Sequence, residues 1–389
     1  MEASEALVAQ QQVVRLQALL EASRQMHSTI QLDEVLRIVL QIVVRELELT
    51  GAFFTHFPHS YGDVSPEVQA AFGSSAKEDA GALEMQRWMR FPLRDKAGHP
   101  LTDLVVLLSE DRELDLDETD FLESLAVQAA VAIENARFHQ RTLEWQRLES
   151  DLASARQVQL SLIPQVMPAI ENYMVAARSM TCYEVGGDYL DIMEMPTGDV
   201  VLVVADVAGK GLTSALVGSS FRSTLRAMVQ ANLSLFEIAT QMNVLHYGEG
   251  AESRRRYVTA MLMRLDPANH VLEVINAGHN PSFLIDGEGK LTTIVASGTP
   301  VGILPFSSYV PQKFSLSPGS RLLVYTDGMT EVFHGEDEFG EARLLEAFLA
   351  CEEQTPERTL IHLWRTLEGF SDGQEQSDDM TALVLFRNS

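Results

Sequence analysis

Apolar residues fall at three- and four-residue steps along the first 45 positions, separated by Gln, Glu and Arg, which predicts amphipathic helices. In STIQLDEVLRIVLQIVVREL, Asp33 is a start signal, and Leu36, Val39, Leu40 and Val43 then share one face. The pattern shortens to strand-like runs, GAFFTHF, RFPLRD and LTDLVVLLSED, with DKAGHP as a turn. DETDFLESLAVQAAVAIENARF returns to helix, with an acidic first turn and small residues on one side. Helix, strands and a closing helix predict a compact α+β module.

A connector follows, in which Phe138, Trp145, Leu148, Leu152, Ala155 and Leu162 keep a three–four spacing, interrupted by the polar Arg141 and Gln159. That pattern predicts a coiled-coil seam with polar positions that set register. The alternative is one helix packed on its own domain, which fewer than four heptads leave open. Pro164 and Pro168 stop the helix.

From about residue 166 branched apolar runs dominate: DVVLVVADV, RYVTAMLMRLD, HVLEVINAGHN, RLLVYTDGM and MTALVLF. Helical stretches are predicted at 212–246 and 341–368. Strands at both ends with helices between predict an α/β layered domain on antiparallel sheets.

Bulk properties narrow the function classes. The chain has 389 residues, 46% apolar and 22% charged, which fits two or three soluble domains. A net charge of −26 offers no basic stripe for nucleic acid. Cys182 and Cys351 stand far apart, fit no disulfide framework and suit a reducing cytoplasm. The acidic, Gln-rich start lacks the pattern of a signal peptide, and VLRIVLQIVV is far shorter than the ~20 residues of a membrane span. A cytoplasmic protein without a membrane partner is expected.

Four acidic sites recur where an apolar strand meets a tight turn: Asp188 in VGGDYLD, Asp206 in VVADVAG, Asp327 in LVYTDGM and the Asp378–Asp379 pair in QSDDMTALVL. One such Asp is ordinarily a turn-former or cap. Four of them converging at one sheet edge would repel unless hard cations lay between them. Oxygen-only ligation suits magnesium or manganese better than zinc. Gly186, Gly187, Gly209, Gly211 and Gly328 flank these acids and allow close backbone approach. A phosphate-cradling P-loop is excluded, because the position five before Gly209 is Val204 and Lys210 is followed by Gly211.

The two ends of the first module, LDEVLRIVLQIV and FLESLAVQAAVAIENARFHQ, resemble the opening and closing helices of a GAF sensory domain over residues 17–140. Residues 1–16 then form a helical extension and 141–165 the linker helix. His56, His59 and His99 read as loop histidines in place of haem or metal ligands. Residues 166–389 resemble the metal-dependent protein phosphatases in their bacterial SpoIIE/RsbU-type, type 2C-like branch. The ordered motifs are GGDYLD, ADVAGKGLTSAL, YVTAMLMRLD, NAGHNP, GTPVGIL, LVYTDGMTEV, FGEARL and DDMTALVL, and ASARQVQLSLIP resembles the helix that precedes such domains.

The resemblance implies a multi-domain α/β chain ending in an αββα sandwich. It makes Asp206 the acid bridging two divalent cations, manganese or magnesium, with the Val207 carbonyl on one of them. Asp188 completes the second ion's shell, and Asp327 and Asp378 hold the first. Asp379 reads as a neighbour of the ligands, while Asp191, Lys210 and His279 stay unassigned, as does the general acid, because Lys210 stands where type 2C enzymes often carry a His. The implied activity is hydrolysis of phosphoserine or phosphothreonine on a STAS-type anti-sigma-factor antagonist. Homodimerisation through the GAF-like domain and linker is expected, with an upstream activator protein or small ligand as input. Two rivals remain at this stage: a degenerate phosphatase acting as a docking scaffold, and a GAF-based ligand sensor acting by protein binding.

Overall fold

The computed structural model describes residues 17–73, 87–109, 111–162, 164, 167–353 and 355–388. The extension expected over 1–16 lies outside them. The chain divides into two units, Met1–Glu149 and Ser150–Ser389.

In the first unit, α1 (residues 17–26) precedes α2 (Leu32–Glu46). Strands β1 (Gly51–Phe54), β2 (Ser60–Gly62), β3 (Arg87–Arg94) and β4 (Pro100–Leu108) form an antiparallel sheet in the order β2-β1-β4-β3, with α3 (Pro66–Gly73) between β2 and β3. Strand alternation splits its burial. Ala52 and Phe54 meet Leu36, Val39, Leu40 and Val43 of α2 and the first turns of α4 (Leu116–Leu162), while Phe53 packs with Val68 of α3, Val105 and Leu107. The predicted face of α2 is therefore the buried one. The closing helix and the linker helix, expected as separate pieces, are one 47-residue α4 that ends two residues before Pro164. One face of it is buried between Phe121 and Ala136, and beyond that Phe138 and Trp145 are 74% and 71% exposed. The three histidines make local contacts: His56 with Thr55, His59 with Asp33 and His99 with Asp95.

The second unit is a four-layer sandwich. One antiparallel sheet runs β12-β9-β8-β7-β6, built from β6 (Tyr189–Glu194), β7 (Val200–Val207), β8 (Val258–Asp266), β9 (Val271–Ala277) and β12 (Gln312–Ser315). The other runs β11-β10-β13-β16-β5, from β5 (Tyr173–Met180), β10 (Ser282–Ile285), β11 (Leu291–Ile294), β13 (Arg321–Tyr325) and β16 (Met380–Arg387). A small hairpin pairs β14 (Phe333–His334) with β15 (Asp337–Glu338).

Leu202 and Val204 of β7 face Val324 of β13 and Leu383 and Leu385 of β16 across the inter-sheet core. Their alternates, Val201, Val203, Ala205 and Val207, face α5 (Leu212–Gln230) and α6 (Leu235–Gly248). On the far side, Ala382, Val384 and Phe386 face α8 (Gly340–Ala350) and α9 (Pro356–Ser371). Burial on both faces explains why these antiparallel strands read as continuous apolar runs.

Both predicted helices divide. The first breaks at Asn232, in left-handed backbone (φ 58°), and restarts on a Ser234/Glu237 capping box. The second restarts where the Thr355 side chain caps α9 and Pro356 takes its first turn. A short α7 (Ala251–Arg255) leads into β8.

Candidate active site

Four acids come together because four strand ends do. Asp188 immediately precedes β6, Asp206 is the penultimate residue of β7, Asp327 opens a 3-10 turn after β13, and Asp378 lies two residues before β16. The antiparallel pairing places the start of β6 beside the end of β7, and the end of β13 beside the start of β16. One edge of the sandwich therefore carries all four, two from each sheet.

Hydrogen bonds stitch the two sheets together here. Thr326 Oγ1 donates to Asp188 Oδ2 at 2.8 Å. The Asp379 carboxylate accepts the Cys182 N–H at 2.7 Å and the Gly187 N–H at 2.6 Å. Asp379 is buried and acts as a staple for the GGD turn, using both oxygens on protein donors. Glycine is required within the staple. A Cβ on Gly186 would lie 2.3 Å from Asp379 Oδ2, and one on Gly187 would lie 2.9 Å from the Val207 carbonyl oxygen.

Accessibility separates the remaining acids. Asp188, Asp206, Asp327 and Asp378 are half-buried, with carboxylates that can still meet an ion or substrate. Asp191 is fully buried and belongs to another network, with Arg226 Nε and Nη2 at 2.6 and 2.7 Å and the Tyr189 hydroxyl at 2.6 Å. Lys210 donates to Asp378 Oδ2 and to the Ser377 carbonyl, both at 2.7 Å. The hydrogen bond to Asp378 holds the ammonium above its ordinary pKa, which makes it a poor proton donor. His279 is buried, with Nδ1 3.0 Å from Thr259 Oγ1 and its backbone N–H on Asn276 Oδ1. Burial pushes its pKa down to about 4, so it is neutral, and Thr259 pairs with Asp206 across the β7–β8 ladder. Cys182 donates to the Gln376 carbonyl, and burial raises its pKa, which does not suit a nucleophile.

Crowding raises the carboxylate pKa values. Burial first, then Asp327 and Asp378, raise Asp206 to about 7. Burial and Asp206 lift Asp188 well above the ordinary carboxylate range, and burial and Asp378 lift Asp327. Glu331, which the sequence reading left out although it sits in LVYTDGMTEV, joins the group: burial, Asp327 and Asp378 raise it. Among the described residues, no three His, Cys, Asp or Glu side chains stand close enough as placed to enclose an ion. The chemistry of the donor set nevertheless fits a divalent cation. It is all oxygen, it carries more carboxylates than the one ammonium of Lys210 can offset, and the Val207 carbonyl faces the GGD turn.

A pH test follows. Asp206 binds a proton more tightly folded than unfolded, so its stability contribution is complete below about pH 4 and is lost as the pH rises through about 7. In a chelator, the melting temperature should fall from about pH 5 to about pH 8, and manganese should restore it. A melting temperature that rises over that interval would contradict the crowded-carboxylate account.

Residues 196–388 match the family described as Stage II sporulation protein E (SpoIIE). They form a SpoIIE-type domain of the PP2C phosphatase family. Asp206, Val207, Asp327 and Asp378 lie inside the matched span, and the GGD turn lies just before it. Protein IcfG of Synechocystis is 26% identical over 264 residues, 61% of this chain and 42% of IcfG. Phosphoserine phosphatase RsbP of Bacillus subtilis is 27% identical over 150 residues, 38% of this chain and 37% of RsbP. The chain thus spans less than half the length of either relative. The PP2C domain of SiaA from Pseudomonas aeruginosa shares the fold, with a TM-score of 0.55 at 20% identity, covering 63% of this chain and 99% of that domain.

Proposed function

We propose that the SpoIIE-type domain is an active, metal-dependent phosphatase for phosphoserine and phosphothreonine. The observation that carries this reading is the convergence of Asp188, Asp206, Asp327 and Asp378, all accessible and with three of them raised in pKa. Asp188, Asp206, Asp327 and Asp378, with the Val207 carbonyl, would hold two manganese or magnesium ions, Asp206 serving as the shared acid. Ions bound there supply an activated water and offset the charge of the phosphoryl group. The protein's own part is positional. Asp379 fixes the GGD turn, Thr326 orients Asp188, and Lys210 holds Asp378 while keeping a positive charge beside the incoming phosphate. A degenerate scaffold would have lost these acids.

The substrate is a small phosphorylated regulatory protein, an anti-sigma-factor antagonist of STAS type. This reading is supported by the motif order and by a relative named as a phosphoserine phosphatase. The first unit is a GAF-like regulatory and dimerisation module acting through α4, whose exposed Phe138, Trp145 and Leu148 provide an apolar seam for a second copy. Light scattering of the full chain should give a dimer; a monomer at tens of micromolar would rule the seam out. No helix among the described residues is long and apolar enough to cross a membrane. The enzyme reading is tested by phosphate release from a phosphoserine peptide with manganese, with chelator, and with Asp206→Asn protein. Release that survives chelation, or equals wild type in the variant, overturns it.

A further inference from the structure

A ridge of apolar side chains stands at the same edge of the sandwich as the acids. Ile303, Leu304, Pro305 and Phe306 are consecutive and all exposed, and Phe306, at 89%, is the most exposed large apolar residue among those described. Single exposed apolar residues are ordinary, but a run of this length at a soluble surface is a liability unless it is used. Its backbone is fixed. The buried Asn243 side chain accepts the Gly302 N–H at 2.8 Å and donates to the Leu304 carbonyl at 3.0 Å, which spends the loop's polar groups on α6. Val301 exchanges both backbone hydrogen bonds with Val258, at 3.0 and 2.8 Å, and Val258 pairs in turn with Val207. Two strand spacings thus set Val301 about 10 Å from the residue that follows Asp206.

Cationic residues adjoin at one place in the sequence, Arg254, Arg255 and Arg256 at the end of α7. His246 joins them to the ridge. Its Nε2 donates to the Ser253 and Arg256 carbonyls at 3.0 and 2.9 Å, and its ring lies so close to Gly302 that a Cβ there would be 2.0 Å from Cδ2. Arg256 reaches the loop that follows Asp206, its Nη1 donating to the Ala208 carbonyl at 3.3 Å, while Arg254 and Arg255 are exposed.

We propose that the 303–306 ridge and the arginines of α7 form the docking surface for the protein that carries the phosphoserine. This rests on the phosphatase reading given above and adds the chemistry that the substrate must present. An extended segment advances about 3.3 Å per residue, so a phosphoserine at the acids brings its third to fifth neighbours to the ridge. Those neighbours are apolar, and the nearer ones, which lie alongside Arg256, are acidic. A chain of net charge −26 repels an acidic phosphoprotein, and the arginine run reverses that charge where the substrate must approach. The position on the catalytic edge and this local reversal favour such a partner over a second copy of the chain.

Three phosphoserine peptides of equal length test this with the full chain and manganese. The first carries Glu beside the phosphoserine and Leu and Phe at the third to fifth positions on both sides. The second replaces the apolar residues with Ser, and the third replaces the Glu with Gln. Wild type should favour the first over the second by about tenfold in kcat/KM, the scale of one well-used apolar anchor. It should also favour the first over the third, by a margin that shrinks with added salt. Leu304→Ser/Phe306→Ser should bring the apolar preference to within about twofold and keep the acidic one, and Arg254→Gln/Arg255→Gln should do the reverse. Each reading is a ratio within one protein, so a general loss of activity does not move it. A wild type that hydrolyses neither the peptides nor p-nitrophenyl phosphate overturns the phosphatase reading and this inference together. Hydrolysis of p-nitrophenyl phosphate without either preference among the peptides, or variants that keep both preferences, overturns the docking surface alone. So does a Leu304→Ser/Phe306→Ser chain whose mass in light scattering falls by half, because the ridge would then join two copies.

Discussion

Asp206→Asn should reduce manganese-dependent phosphate release by about three orders of magnitude or more, which corresponds to roughly 4 kcal/mol of lost transition-state stabilisation. Asn keeps the shape of the side chain and one acceptor oxygen, but it removes the charge that would bridge two cations. The same substitution should stabilise the metal-free protein. Asp206 is held at a pKa of about 7 by burial and by Asp327 and Asp378, so its charge is a liability to the fold at neutral pH. The expected pair of results is thus opposite in sign: activity lost, and melting temperature in chelator raised. Asp337→Asn, which alters an exposed partner of Arg343, should leave phosphate release unchanged. An Asp206→Asn protein that is inactive because it is unfolded would fail the stability half of the test. One that is stable and active would remove Asp206 from the site.

The acids were legible because each follows or precedes a run buried on both faces, and a charge at such a boundary stands out from its apolar flank. β7 is the clearest case: Val200 to Ala205 are all buried, and Asp206 is the first residue of the strand to reach solvent. Strand alternation also explains Asp191, which local sequence could not separate from Asp188. Tyr189 and Met193 of β6 pack in the α5–α6 layer, and Asp191 lies between them at the same period, which turns it to Arg226. The break between α5 and α6 was written in the Ser234-x-x-Glu237 capping box, and the start of α9 in Thr355–Pro356; both were hidden inside a strong helical period. Other features had no local signal. Asp379 acquires its role from backbone groups at 182 and 187, and Gln159 from Gly186, contacts that exist only after the two sheets have closed. The polar interruption at Gln159 suggested register within a coiled coil, whereas its side chain is hydrogen-bonded to Gly186 in the GGD turn.

The network around Asp191 should respond in the reverse way, with stability lost and chemistry retained. Asp191→Ala leaves Arg226 and the Tyr189 hydroxyl without their acceptor at the interface between β6 and α5. Breaking a buried ion pair from one side costs about 3–5 kcal/mol. The Arg226 side chain is 40% exposed and can turn towards water, which places the Ala variant near the lower end of about 3 kcal/mol. Arg226→Met should cost more, because Asp191 is 0% exposed and has no such exit. Urea midpoints of the two single variants and the double variant would give the coupling directly. Per folded molecule, manganese-dependent phosphate release should stay within about threefold of wild type, since Asp191 contributes no accessible oxygen to the acid cluster. An Asp191→Ala protein of normal stability and abolished activity would instead bring Asp191 into the catalytic set.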